Sequence, residues 1–288
     1  MLYLTLSILS SCTLLWMFRY FSDNKLNIPG IITFNYITCF AATIWVNSEE
    51  LTLNSLKEEK LQIYALLLGG LFIITFNIIS RTVNYFGIMI SSVTQKMSLI
   101  APIIIGLLFY SENLSFLRII GIVTAISSIV VINMPFKENQ SGQKKFIYWI
   151  YPFLTWLLSS IIDSAFYVLG KSTGSKQSAF FLATLFGTAA ALGILFILFT
   201  YMRTKIKIPL HILPFGILLG IPNFMSIFYL MKAIGQGWDA SIMFPINNVG
   251  IIGLSMLGAL LIFKEKANKY KYIGVGLAIS AVLLITLS

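Results

Sequence analysis

Ten runs of apolar residues, each about as long as a bilayer is thick, fill almost the whole chain. A hydrocarbon core of ~30 Å takes about 20 residues of helix. In lipid, a helix lets a single segment satisfy all its own backbone N–H and C=O groups. The runs lie at roughly 2–22, 28–47, 61–81, 88–110, 115–134, 147–170, 178–202, 210–233, 241–263 and 270–287. The fold class they predict is an all-α membrane protein of ten transmembrane helices, multi-pass in the cell (inner) membrane. Composition agrees: 58% of residues are hydrophobic and only 10% are charged, against ~25% charged in soluble domains. The loops are too short to hold a soluble domain. Two are more polar, "NSEELTLNSLKEEK" (47–60), read as a short surface helix, and "PFKENQSGQKK" (135–145), read as a hinge between halves. The first run lacks a basic leader and a small-x-small cleavage site, so it reads as a span and not as a removed signal.

The net charge of +10 would point to nucleic acid in a soluble protein. Here the basic residues sit in short loops, where they orient helices, and no nucleic-acid partner is expected. Lys and Arg number thirteen after the odd runs and six after the even ones. The positive-inside rule then puts the odd loops in the cytoplasm and both termini outside. His211, beside Pro209 and Pro214, reads as an interfacial loop residue. Cys12 and Cys39 lie inside apolar runs, with no spacing that suggests a disulfide or a metal site. No HExxH, GxSxG or Walker loop is present, and no acidic cluster, so neither an enzyme nor a cofactor is expected.

The chain repeats itself. Shifted by 153, Leu107, Leu108, Glu112, Ile120, Gly121, Ala125, Ile126, Ser127 and Ile132 fall on Leu260, Leu261, Glu265, Ile273, Gly274, Ala278, Ile279, Ser280 and Ile285, nine identities in 26 positions. A shift of 149 puts Ser10 and Ser11 on Ser159 and Ser160. The unit is five spans, and an odd unit enters the membrane inverted the second time. The expected organisation is therefore two inverted five-helix repeats, 1–134 and 147–288, with a site near the midplane between them.

The stretches "YSENLSFLRIIGIVTAISSIVVIN" (110–133) and "FKEKANKYKYIGVGLAISAVLLIT" (263–286) resemble the two copies of the Glu-containing turn and Gly-bearing helix of the drug/metabolite transporter superfamily, EamA type. The ten-span layout resembles that family over the full length. The resemblance implies a secondary transporter, often a metabolite exporter, with no ATP site; such relatives are drawn with both termini inside, against the charge count. Pro102 matches a proline common in the fourth span of the family, and Pro245 lies earlier in span nine than its equivalent would.

Glu112 and Glu265 precede new helices; they read as acceptors for helix N-terminal amides or as a proton or cation site. Gly121 and Gly274 read as points of close helix packing. The candidate substrate site comes from "SSVTQKMSLIAP" (91–102), where Thr94, Gln95 and Lys96 interrupt an apolar run. Lys96 is the ninth residue of its span, ~12 Å in at ~1.5 Å per residue, a depth at which charge is costly unless the stem snorkels. Under the shift of 153, Thr94 and Gln95 fall on Asn247 and Asn248. Both copies thus place polar groups at one depth, which predicts a cavity in which Lys96 meets an anion such as a substrate carboxylate. Asp163 is the one acid well inside a span; it could pair with Lys96, carry a coupling proton, hold a substrate ammonium, or bond Ser159 or Ser160. Arg81 and Lys232 read as interfacial anchors or gates, and Asn35, Asn77, Asn84 and Thr184 as weaker cavity candidates. Of the tryptophans, Trp16 lies furthest from a span end and is a ligand-facing candidate. The expected partners are the lipid bilayer, a small polar substrate and a coupling proton or cation.

Overall fold

The computed structural model describes residues 2–46, 59–109, 115–132, 146–173, 179–205, 209–235 and 240–287. Most of the two polar stretches, together with Glu112 and Trp238, lies outside the described residues. Among the described residues all regular structure is helical: α1 (Leu2–Asp23), α2 (Ile28–Val46), α3 (Glu59–Phe86), α4 (Ile88–Lys96), α5 (Ile100–Phe109), α6 (Phe116–Ile132), α7 (Ile150–Thr173), α8 (Ala179–Thr204), α9 (Leu213–Gly235), α10 (Ala240–Leu261) and α11 (Lys269–Thr286). Among the described residues, six helical stretches are long and apolar enough to cross a membrane: α1, α2, α3, α8, the Ile88–Gly106 stretch and the Leu213–Leu230 part of α9. Phe116–Ile132 and Ile246–Leu261 are apolar but shorter.

Local chemistry sets the helix ends. Asn27 accepts from Gly30 N at 3.1 Å, Ser115 from Arg118 N at 3.1 Å and Asn268 from Lys271 N at 2.9 Å, each a short polar side chain serving an N–H that the helix cannot. Glu265 caps from a distance in sequence: its Oε1 accepts from Ile88 N at 2.8 Å, at the start of α4. The preceding Gly87 has φ +88°, and a Cβ there would strike the Glu265 carboxylate. The amide-acceptor role expected of Glu265 is the one observed.

Three other residues take left-handed backbone without being glycine: Lys25 (φ 53°), Lys205 (φ 57°) and Lys264 (φ 47°). A side chain there costs about 1–2 kcal/mol. Lys25 N bonds Ser22 O and Leu26 N bonds Phe21 O, the paired bonds of a glycine-type helix stop. Lys205 N bonds Tyr201 O in the simpler version.

The span 88–110 does not run straight. A 3₁₀ turn, Met97–Leu99, separates α4 from α5. Pro102 has no N–H for the Ser98 carbonyl and its ring crowds that carbonyl, so the break falls one turn before the proline. Pro245 breaks nothing: α10 is helical from Ala240 to Leu261.

Side-chain registers give the helix directions. α1 and α3 run parallel, with Phe18 on Phe76 and Ser22 bonded to Asn84. α10 runs with α1, since Ile8 meets Gly250 and Cys12 meets Ile251. α8 runs with α3, from Gln62–Thr184 to Gly70–Leu192. These four end at one face, and Lys25, Lys205 and Lys264 all lie there. α7 runs against α3, and α6 against α11. Two interfaces are alike. On α3 and α7, Tyr85 stacks on Tyr151 at 5.3 Å, Arg81 lies 5.7 Å from the Tyr151 ring and Thr82 bonds Thr155 at 2.7 Å. On α9 and α1, Tyr229 stacks on Tyr3 at 6.0 Å, Lys232 lies 5.8 Å from the Tyr3 ring and Ser7 donates to Ser226 O at 2.8 Å. Arg81 and Lys232 thus engage tyrosines at opposite faces. On α6 and α11, Gly121 admits Ile285 while Gly274 admits Ile132, the close packing expected of both glycines. The main apolar core joins α1, α2, α3, α8 and α9, and a second joins α4, α6, α10 and α11. Asn35 is wholly buried and accepts from Asn223 at 3.1 Å, tying α2 to α9.

Candidate functional site

The polar residues of the 3₁₀ break gather with one face of α7. Tyr151, Thr155, Ser159 and Asp163 recur every fourth residue, so they form a single stripe along that helix. Ser98, in the 3₁₀ turn, donates to Asp163 Oδ2, and its hydroxyl also lies 2.5 Å from the Gln95 carbonyl. The residue that holds Asp163 is therefore Ser98 from another helix. Ser159 and Ser160, one turn back on α7, do not bond it.

Lys96 ends α4 one residue before the turn. Its electrostatic neighbours are Asp163 and Cys12. It does not reach the carboxylate: among the described residues the ion pair within 4.0 Å is Arg19–Asp23, and the Lys96 ammonium has no hydrogen bond within the described residues. Lys96 and Asp163 are both half-buried. Cys12, on α1, sits 3.6 Å from the Ile251 carbonyl of α10, and α4 packs against α1, α7 and α10.

Several buried polar atoms on these four helices have no protein hydrogen-bond partner: Ser91 Oγ and Thr94 Oγ1 on α4, Trp156 Nε1, Ser159 Oγ and Ser160 Oγ on α7, and Asn247 Oδ1 on α10. A buried polar atom left unbonded costs about 1–3 kcal/mol. They are donors and acceptors of the kind that a polar ligand or water satisfies. Of the expected site residues, Lys96, Asp163 and Thr94 thus lie on the helices that meet here, with Asn247 buried on α10 and Gln95 and Asn248 half-buried beside them. No hydrogen bond joins Lys96 or Gln95 to Asn247 or Asn248. Ser98 is the residue of this cluster that the sequence does not single out. Its position in the opening polar stretch, two residues after Lys96, was the available signal.

Trp16 stands apart. It is one turn beyond Cys12 on α1, its Nε1 is buried against Gly258 without a partner, and its ring lines a separate surface cleft of about 380 Å³. That cleft is apolar, formed with Phe21, Phe215, Leu218 and Phe263. Asn84 bonds Ser22 and Thr184 bonds Gln62, so both serve helix contacts, while Asn77 bonds back to Ile73 O within its own helix. The groups described here include no set of three His, Cys, Asp or Glu that could hold a metal ion.

No protein-family profile matches the chain. An uncharacterized protein of Haemophilus influenzae (strain ATCC 51907 / DSM 11121 / KW20 / Rd) is 28% identical over 287 residues, covering 97% of this chain and 95% of that one. A solved crystal structure superposes with a TM-score of 0.62 at 14% identity, over 98% of this chain and 97% of the other. That likeness carries the fold alone: this all-helical arrangement is shared end to end by a protein of nearly the same extent.

Proposed function

We propose that the chain is a secondary transporter of small polar metabolites, such as amino acids or related compounds, acting by alternating access in the export direction. In this proposal it is an EamA-type member of the drug/metabolite transporter superfamily. It crosses the inner membrane ten times as two inverted five-helix repeats, 1–134 and 147–288. Three reciprocal features support the repeat. Gly121 against Ile285 and Gly274 against Ile132 exchange under the shift of 153, as contacts across a two-fold axis must. The α3–α7 and α9–α1 interfaces carry the same stacked tyrosines, cation and hydroxyl at opposite faces. The N-caps Ser115 and Asn268 are also 153 apart.

The observation that carries the function is the separated charge pair. Lys96 and Asp163 feel each other, are half-buried, and make no ion pair. Ionisable groups inside a membrane bundle mark substrate or proton pathways by default. Lys96 would meet a substrate carboxylate. Asp163 would hold an ammonium group or a coupling proton, with Thr94, Ser159 and Asn247 as hydrogen-bond partners.

Export of labelled amino acids from cells expressing the chain, with and without a protonophore, tests this. Lys96→Met should slow a carboxylate-bearing substrate by about tenfold or more, the loss of one charged hydrogen bond, at unchanged protein level. A wild-type rate in that variant moves the function to its second form, efflux of amphipathic cations centred on Asp163. Dependence on Lys96 with accumulation inside the cell would instead indicate uptake of a small anion. No transport of either class, in either direction, would end the proposal.

A further inference from the structure

The three left-handed lysines stand where backbone chemistry asks for glycine. Lys25, Lys205 and Lys264 each follow a helix C-terminus, each is exposed, and all lie at the same face. Gly87, which ends α3 at that face, shows that glycine is used there too. Two of the three, Lys25 and Lys264, follow the ends of α1 and α10 that contribute to the apolar cleft described above. Phe21, four residues before Lys25, and Phe263, next to Lys264, both line it. Of the acids nearby, Asp23 pairs with Arg19 at 3.1 Å, while Glu265 accepts from Ile88 N through Oε1 and keeps a buried Oε2 without a hydrogen-bond partner. Lys266 and Lys269 are exposed close by in sequence, and the Lys271 ammonium donates to Lys266 O at 3.0 Å. The exposed lysines Lys25, Lys264, Lys266 and Lys269 thus outnumber Glu265, the one acid there that makes no ion pair among the described residues, while the lining of the cleft carries no charge.

We propose that this cleft binds an anionic phospholipid, one acyl chain against Trp16, Phe215 and Leu218 and the phosphate on Lys25 and Lys264. An apolar slot opening at a membrane face takes a hydrocarbon chain, and unpaired lysines at its rim take the negative headgroup. Lysine at these positions trades backbone comfort for charge, which a helix stop alone does not require. The site is separate from Lys96 and Asp163, and depends on membrane embedding and not on transport.

Native mass spectrometry of the purified full chain, given equimolar phosphatidylglycerol and phosphatidylcholine in nonionic detergent, reads the preference. Wild type should retain phosphatidylglycerol selectively. Lys25→Gly with Lys264→Gly suits the backbone and removes both charges; it should lower the preference by about fivefold or more, given ~1 kcal/mol per basic residue at an anionic surface. Lys205→Gly makes the same change away from the cleft and should leave the preference intact. An undiminished preference in the double variant, or an equal loss in Lys205→Gly, overturns the site. Chain-brominated phosphatidylglycerol supplies an independent readout. It should quench wild-type fluorescence more than that of Trp16→Phe; equal quenching would place no chain in the cleft.

Discussion

Gly274→Ala and Gly121→Ala are the same change at equivalent places, and the structure gives them different costs. A Cβ on Gly274 would lie 2.5 Å from Ile132 Cβ, 2.8 Å from its Cα and 2.9 Å from its N. Those atoms belong to the α6 backbone or are fixed to it, so no rotamer relieves the clash and α6 and α11 must separate. Overpacking of this kind costs about 1–3 kcal/mol. The better helix propensity of alanine returns about 1 kcal/mol of it. Three contacts under 3.0 Å to backbone-fixed atoms put Gly274 at the upper end of that range, so the net expectation is a loss of about 1–2 kcal/mol. At Gly121 the nearest atom is Ile285 Cγ1 at 2.6 Å, with Ile285 N at 3.1 Å and Ala281 O at 3.3 Å. Rotation of Ile285 removes the worst contact, so Gly121→Ala should fall within about 1 kcal/mol of wild type. Second substitutions sharpen the contrast. Ile285→Ala should relieve Gly121→Ala, with a coupling of about 0.5 kcal/mol or more, whereas Ile132→Ala leaves the Cα, Cβ and N that obstruct Gly274→Ala. Reversible SDS unfolding of the purified protein in mixed micelles, followed by circular dichroism, measures all four. Wild-type stability in Gly274→Ala, or its full rescue by Ile132→Ala, would refute the packing at this interface.

Glu265→Ala should cost about 1–2 kcal/mol, one N-cap plus its charge at the start of α4. Glu265→Gln keeps an acceptor for Ile88 N and should cost less, with substrate preference unchanged in both; a changed preference would return the residue to a coupling role. Pro102→Ala restores the N–H that the Ser98 carbonyl lacks, so amide exchange across 98–102 should slow as α4 and α5 merge. Unchanged exchange there would mean that something other than the proline maintains the break.

The helix layout was legible because each end carries its own chemistry. Asn27, Ser115 and Asn268 cap with their side chains, and apolar length did the rest, so expected and observed bounds agree closely for α1, α2, α6 and α11. The site was legible in depth but less so in azimuth. Lys96 and Asp163 stood out as charges within apolar runs. Which side chain meets which depends on how α4 and α7 rotate about their axes, and that is decided by the cores they pack against. Ser98 was hidden for this reason, and the sequence could not show that Trp16 lines a cleft apart from Lys96 and Asp163. The proline acts on the carbonyl four residues back, so the break lies at Met97–Leu99, ahead of Pro102 in the chain. The left-handed lysines were unreadable, since a Lys codon run at a helix end looks like ordinary membrane-flanking charge.

The break and the charge pair belong to one device in the proposed mechanism. Two opposite charges in contact within a low-dielectric interior attract by several kcal/mol, and a closed Lys96–Asp163 bridge would bind α4 to α7 and leave neither group for a ligand. In this proposal the 3₁₀ turn disfavours that outcome by bringing Ser98 to Asp163, whose carboxylate accepts from its hydroxyl. Asp163 is thereby oriented and partly satisfied, while Lys96, two residues before the Pro-disturbed Ser98 carbonyl, has no hydrogen bond among the described residues. A substrate carrying the missing charge would complete the pairing, and only then would α4 and α7 be drawn together. Motion of the helices is thus conditional on occupancy, as coupling between binding and a conformational change requires differential contacts in the two states.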